Sequence, residues 1–257
     1  MDPATVVGIA LALVSILIGL LMDGGNPASM ILPSAVVIVV GGSVGATLAT
    51  GLLPDAVSAL KSVVPTLTGS AVDSAAAVET VVQFADQARR EGLLSLEEAA
   101  RDIEDPFLRK GIQLAVDGTD PDELRDILEL EIASKRAADR SKVEFFTQLA
   151  TFGPTMGVIG TIMGLIGVLE NLSTPETLGP LIASAFLTTL YGVVIANLVA
   201  TPIGKRLARL GDLEAKHMEL VLEGVLSVQA GSNPRMVEQK LQSFLPPSAR
   251  ADLDEAA

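Results

Sequence analysis

The chain contains no cysteine, which excludes a disulfide framework and any thiolate metal site. It has one histidine, His217. A lone imidazole makes neither a metal site nor a proton relay by itself, and on an amphipathic helix near the C-terminal end it is expected at the surface. Basic residues are scarce: 18 Lys and Arg stand against 31 Asp and Glu, a formal net charge of −13. That balance argues against nucleic acid as a partner, since nucleic acid selects basic faces. A solvated polar surface accounts for the acids. The signatures of an enzyme are missing as well: there is no phosphate-cradling loop, no metal-ligand cluster and no nucleophile–base arrangement. Gly157 and Gly160 lie inside an apolar run, not at a strand–turn–helix junction, so they make no dinucleotide fingerprint. No cofactor is expected.

What is present is apolar sequence in long blocks. Hydrophobic residues make up 49% of 257, and the mean hydropathy is +0.49. Four blocks, Ala4–Met22, Ala28–Leu53, Thr147–Asn171 and Gly179–Ile203, each approach or exceed the roughly 20 residues a helix needs to cross a bilayer. The first has no Lys or Arg ahead of it and no small-residue cleavage site after a short core, so it reads as a retained span, not a signal peptide. The expected fold is all-α: a polytopic membrane protein with four transmembrane helices and a helical cytoplasmic domain. Its expected divisions are 1–53 for the first two spans, 54–146 for the cytoplasmic domain, 147–203 for the last two spans, 204–245 for C-terminal helices and 246–257 for a disordered tail.

Charge placement orients it. Eleven of the basic residues fall between Lys61 and Lys142 and seven between Lys205 and Arg250, while the connections Asp23–Pro27 and Glu170–Leu178 carry only acids. The positive-inside rule then puts the middle segment, the tail and both termini in the cytoplasm, with the ends of the middle segment (Lys61, Arg136, Arg140, Lys142) weighing most.

The last two blocks carry no charge from Thr147 to Leu169 or from Gly179 to Ile203. Gly153, Gly157, Gly160, Gly164 and Gly167 are alternately four and three apart and share one helical face, a smooth groove suited to close approach of another helix. Hydroxyls cluster at Thr188, Thr189 and Tyr191. Such groups in hydrocarbon need partners and usually face protein or water. An ion crossing here would need a charged or strongly polar site. These spans offer hydroxyls and carbonyls but no carboxylate, so the acid must come from another chain, whose helix is expected in the glycine groove.

The polar segments read as helices. Ala75–Arg90 has apolar positions at Val78, Val81, Val82 and Ala85 and should end at Gly92. Ser95 and Glu98 have capping-box spacing, which gives Glu98 a structural task and leaves Glu97 without one. A further helix should end near Gly118, and the next begins at Asp120-Pro121 with proline at its first position. Asn233-Pro234 repeats that cap-then-proline signal.

Several motifs occur in an order that resembles one family: Ala85–Glu98 (ADQARREGLLSLEE), Gly111–Gly118 (GIQLAVDG), Gly153–Thr161 (GPTMGVIGT), Leu187–Gly192 (LTTLYG) and Gly231–Arg235 (GSNPR). They look like the MotA/PomA family of bacterial flagellar stator proteins, within the MotA/TolQ/ExbB superfamily, over nearly the whole chain. The resemblance implies a homopentamer in the inner membrane around a peptidoglycan-anchored MotB/PomB-type partner that carries the ion-binding Asp. It also implies coupling of inward Na⁺ or H⁺ flow to torque on a FliG-type rotor protein. Arg89, Arg90 and Glu97 match its rotor-contact charges, although ordinary solvated helix charge is the competing account. Pro154 and Pro202 match its coupling prolines. A passive kink competes for Pro154, and simple helix termination competes for Pro202. Thr161, Thr188 and Thr189 match the ion path of sodium-driven members, with Tyr191 taken alongside them, although threonine in a membrane helix often bonds back to its own backbone. Proton-driven members tend to carry alanine or other small residues at some of these positions, so the resemblance leans toward sodium. Two other readings remain: an ExbB/TolQ-type energiser, which has three spans and a different partner, and a secondary transporter, for which an internal repeat is expected and none is seen.

Overall fold

The computed structural model describes residues 4–69 and 72–246. Within them every regular element is helical. The elements are α1 (Ala4–Met22), α2 (Pro27–Ala49), α3 (Leu53–Thr68), α4 (Ser74–Glu91), α5 (Leu96–Arg101), α6 (Pro106–Val116), α7 (Pro121–Glu170), α8 (Pro175–Gln229) and α9 (Pro234–Gln242). Four of these, α1, α2, α7 and α8, are long and apolar enough to span a membrane. The tail expected to be disordered lies, from residue 247 onward, outside the described residues.

Proline sets most of the helix starts. It stands in the opening positions of α2, α3, α6, α8 and α9, and α7 begins on Pro121. There its missing N–H is one that the first turn leaves unpaired in any case. Short polar caps precede it: Asp105 accepts from the N–H of Phe107 and Leu108, and Asn233 from that of Arg235. Gly92 and Gly118, at φ +86° and +78°, turn the chain out of α4 and α6 in the left-handed region.

Two expectations about element ends are corrected. The second apolar block does not run unbroken to Leu53: α2 ends at Ala49, and Leu53 with Pro54 opens a separate amphipathic helix, α3. Ser95 is not an N-cap. It closes a 3₁₀ turn, Leu93–Ser95, with helical backbone angles, and its hydroxyl donates to the Gly92 carbonyl at 2.7 Å. Because the turn feeds directly into α5, no extended residue remains to cap it.

The chain divides into two units. Among the described residues, one holds 4–69 together with 139–209, the other 72–138 together with 210–246. These units do not follow the boundaries at 53/54, 146/147 and 203/204, because α3 and the segment from Asp139 group with the spans. In the polar unit Val78, Val81, Leu96, Leu108, Ile112, Leu128, Val221 and Leu241 form one buried cluster. Burial of each large side chain contributes about 1.5–3 kcal/mol. Gly111 and Gly224 let it close, since a Cβ at either would fall 2.8 Å from a methyl of Val225 or Val81. In the membrane unit Ala56, Ala59, Phe145, Phe146, Ile203 and Leu207 make a smaller cluster.

Candidate functional site

The membrane unit brings the third and fourth spans into backbone contact. A Cβ on Gly153 would lie 2.9 Å from the Gly192 carbonyl oxygen, one on Gly157 3.0 Å from the Thr188 carbonyl oxygen, and one on Gly164 2.7 Å from Ala185 Cβ. Gly160 sits against the Thr188 side chain, and a Cβ on Gly167 would lie 3.6 Å from Leu181 Cδ2, ordinary contact. The groove expected to receive a partner helix along Gly153, Gly157, Gly160, Gly164 and Gly167 is therefore filled by the chain's own fourth span. The physical reason is tethering. A helix joined through a few residues pays little loop-closure entropy to dock, and glycine lets it approach to backbone distance.

Just past the point of closest approach the two spans share a hydroxyl cluster. The Thr161 hydroxyl lies 2.9 Å from the Ala185 carbonyl oxygen, 3.1 Å from that of Gly157 and 3.5 Å from Thr188 Oγ1, and it is hydrogen-bonded to Thr189 Oγ1. Thr188 is buried and donates to the Ala185 carbonyl at 2.7 Å. Each hydroxyl has one hydrogen to give and two lone pairs. With hydrogens committed to the Ala185 carbonyl and within the cluster, lone pairs remain for a cation or a water. Tyr191 is bonded elsewhere: its hydroxyl donates to the Met30 carbonyl and accepts the Leu32 N–H at 3.2 Å. It ties the fourth span to the irregular start of the second.

Both prolines lie within continuing helices. Pro154 leaves the Ala150 carbonyl without its usual donor, and its Cα is 3.1 Å from where a Gly192 Cβ would be. Pro202 does not end a helix, contrary to one of the two readings of the sequence: α8 passes through it to Gln229. A π turn, Ile195–Ala200, comes first, and the Thr201 N–H reaches back five residues to the Ala196 carbonyl. The wider turn accommodates the ring and missing N–H of proline, and such turns often mark functional positions.

In the polar unit Arg89, Arg90 and Glu97 are exposed. Arg90 pairs with Asp86 at 2.9 Å and Glu97 with Arg101 at 3.5 Å, and both functional candidates keep most of their side-chain surface in solvent, 73% and 66%. Such i,i+4 pairs are worth only about 0.3–0.5 kcal/mol, so these charges are available to an incoming partner.

His217 overturns the expectation of a surface residue: it is 5% exposed. One ring nitrogen lies 2.8 Å from Asp105 Oδ2 and the other 3.1 Å from Ser74 Oγ. Burial pushes the Asp105 carboxyl up, but the hydrogen bond from His217 and those from the Phe107 and Leu108 N–H groups outweigh it and hold the group below 3.8. The histidine thus joins α8 to the starts of α4 and α6. The sequence signal for half of this was Asp105-Pro106, the same cap-then-proline pattern recognised at Asp120-Pro121.

Three other features lie outside the sequence reading. One is Gly192 as the mate of Gly153; another is the Ala185 carbonyl as the shared acceptor. The third is a row of exposed threonines, Thr147, Thr151 and Thr155, each donating to the carbonyl four residues back. The i,i+4 hydroxyl spacing was the available signal for that row.

Together these features define an all-α, multi-pass membrane protein with an uncharged polar seam between its last two spans. Residues 99–220 match the MotA/TolQ/ExbB proton channel family, and residues 6–92 match the motility protein A N-terminal family. Chemotaxis protein PomA of Vibrio alginolyticus is 34% identical, with 99% of this chain and all of that protein covered. Motility protein A of Borreliella burgdorferi is 40% identical over 70% of this chain and 69% of its own. The solved flagellar MotAB stator complex from Bacillus subtilis superposes with a TM-score of 0.89 at 31% identity, covering 97% of this chain and 98% of that one. The chain belongs to the MotA/TolQ/ExbB proton channel family, on its motility protein A branch.

Proposed function

We propose that this chain is a stator subunit of the bacterial flagellar motor and that it forms the neutral wall of an ion path. The observation that carries the reading is the convergence of Thr161, Thr188, Thr189 and the Ala185 carbonyl between two spans that contain no carboxylate. Uncharged oxygens can share coordination of a passing cation, but they cannot titrate. The acid that grips the ion therefore belongs to a MotB/PomB-type partner anchored to peptidoglycan. With the glycine face occupied, that partner's helix meets another surface of the third span, where Val158, Ile159, Ile162 and Ile166 are exposed. Five copies of the chain ring the partner in the inner membrane, with both termini in the cytoplasm. Match of the N-terminal family model over residues 6–92 favours this over an ExbB/TolQ-type energiser.

Pro154 and Pro202 flank the site of closest helix contact and the π turn, and they couple ion occupancy to movement of the polar unit. Arg89, Arg90 and Glu97 contact a FliG-type rotor protein, with long-range charge steering the encounter. The hydroxyl content of the seam favours Na⁺ over H⁺. No prosthetic group or catalytic step enters this scheme.

The test is ion conductance in vesicles or cells carrying this chain with and without its partner. Conductance is expected only when both are present. Conductance from this chain alone would show that the seam supplies its own gating acid and would end the reading.

A further inference from the structure

A cleft of 460 Å³ lies between the start of α1 and the middle of α8, all of it within the membrane unit. Its walls are divided by chemistry. Ala4, Gly8, Ile9, Leu198 and Pro202 make one part apolar, and Lys205, Arg206 and Arg209 make the other cationic. Among the described residues no carboxylate lines it. Arg206 is engaged: its Nε donates to the Thr66 carbonyl at 2.6 Å, its Nη1 lies 3.2 Å from Thr5 Oγ1, and its Nη2 lies 3.4 Å from the Gly69 carbonyl. This arginine thus joins the C-terminal end of α3 to the first turn of α1 at the edge of the cleft. Lys205 and Arg209 are exposed, are four residues apart on one helical face, and form no ion pair with any described residue.

We infer that this cleft binds an anionic phospholipid from the leaflet on the Lys205 side, the phosphodiester held by Lys205 and Arg209 and an acyl chain lying against Ile9, Leu198 and Pro202. The position supports it. Lys205 is the first charged residue after the apolar block that ends at Ile203, so its ammonium reaches headgroup depth while the apolar walls remain in hydrocarbon. Two unneutralised cations beside an apolar slot match a diester with attached chains better than they match a free anion. A soluble phosphate would leave the slot's apolar surface facing water. The location also gives the lipid leverage, because Pro202 follows the π turn of α8 and a chain seated against it would favour one packing of α1 on that helix.

The experiment uses the full-length protein purified in its native assembly in a mild detergent, with lipid retention read by native mass spectrometry. The probes are phosphatidylglycerol, phosphatidylcholine with the same acyl chains, and inorganic phosphate. Phosphatidylglycerol is expected to bind in preference to phosphatidylcholine, and millimolar phosphate should not displace it. The double substitution Lys205→Gln and Arg209→Gln should weaken phosphatidylglycerol by about 30-fold, at about 1 kcal/mol for each cation near an anionic headgroup. Arg89→Gln with Arg90→Gln, which removes the same charge elsewhere, should leave binding unchanged. Gly8→Phe tests the slot without touching charge: a Cβ at Gly8 meets nothing within 4 Å, so the ring fits the helix yet fills the cleft, and retention should fall. Equal retention of the two lipids would overturn the assignment, as would undiminished binding in both cleft variants or ready displacement by phosphate.

Discussion

The Cβ that Gly192 lacks would stand 2.5 Å from the Gly153 carbonyl oxygen, a distance at which something must shift. The obstacle is backbone, and no side-chain rotation relieves it. This glycine pair sets how closely the third and fourth spans cross, and through that spacing it sets the hydroxyl seam one to two turns away.

Gly192→Ala is therefore expected to lower the thermal midpoint of the purified protein, by the equivalent of about 1–3 kcal/mol for an overpacked contact. Gly179→Ala, where added Cβ meets nothing, should not. Equal midpoints for the two variants would show that the spans can separate at little cost.

Thr189→Ala removes the hydroxyl bonded to Thr161 while leaving the Thr188–Ala185 hydrogen bond in place. Swimming speed as a function of external sodium should show a weaker dependence in the variant. A parent strain whose speed ignores sodium would end the sodium assignment.

Glu97→Lys reverses an exposed charge whose pairing with Arg101 is loose. Membrane assembly should be normal and motility reduced, with a rotor carrying a compensating charge reversal restoring part of it. Unaltered swimming would leave Glu97 as surface charge only.

Asp105 supplies a pH dependence whose sign follows from its environment. The carboxyl is held below 3.8 in the folded chain, so its contribution to stability is fully present above that value and is lost as the pH falls through the folded one. Asp105→Asn should be less stable than the parent at pH 7, and the difference should shrink as the pH approaches 3. Thermal midpoints across that range give the answer, and a gap that stays constant would remove Asp105 as an acid-sensitive tie to His217.

Much of this molecule could be read without coordinates. Four apolar runs at bilayer length, prolines and short polar caps at helix starts, and glycines at Gly92 and Gly118 are local signals. They act through chain geometry and hydrocarbon solvation, which depend on a residue and its near neighbours. The absence of charge from the third and fourth spans belongs with them, and it alone directs the search for an acid to another chain.

Tertiary packing decided what those signals could not. A glycine face announces that something comes close, but only packing shows that the tethered fourth span takes the place expected for a partner helix. Proline at 202 allowed either an end or a passage, and a π turn upstream made it a passage. Histidine at 217 looked like a surface residue because its partners, Asp105 and Ser74, lie 112 and 143 positions away. Contacts of that separation leave no periodic trace in the chain, since they are selected by how helices meet and not by how each one forms.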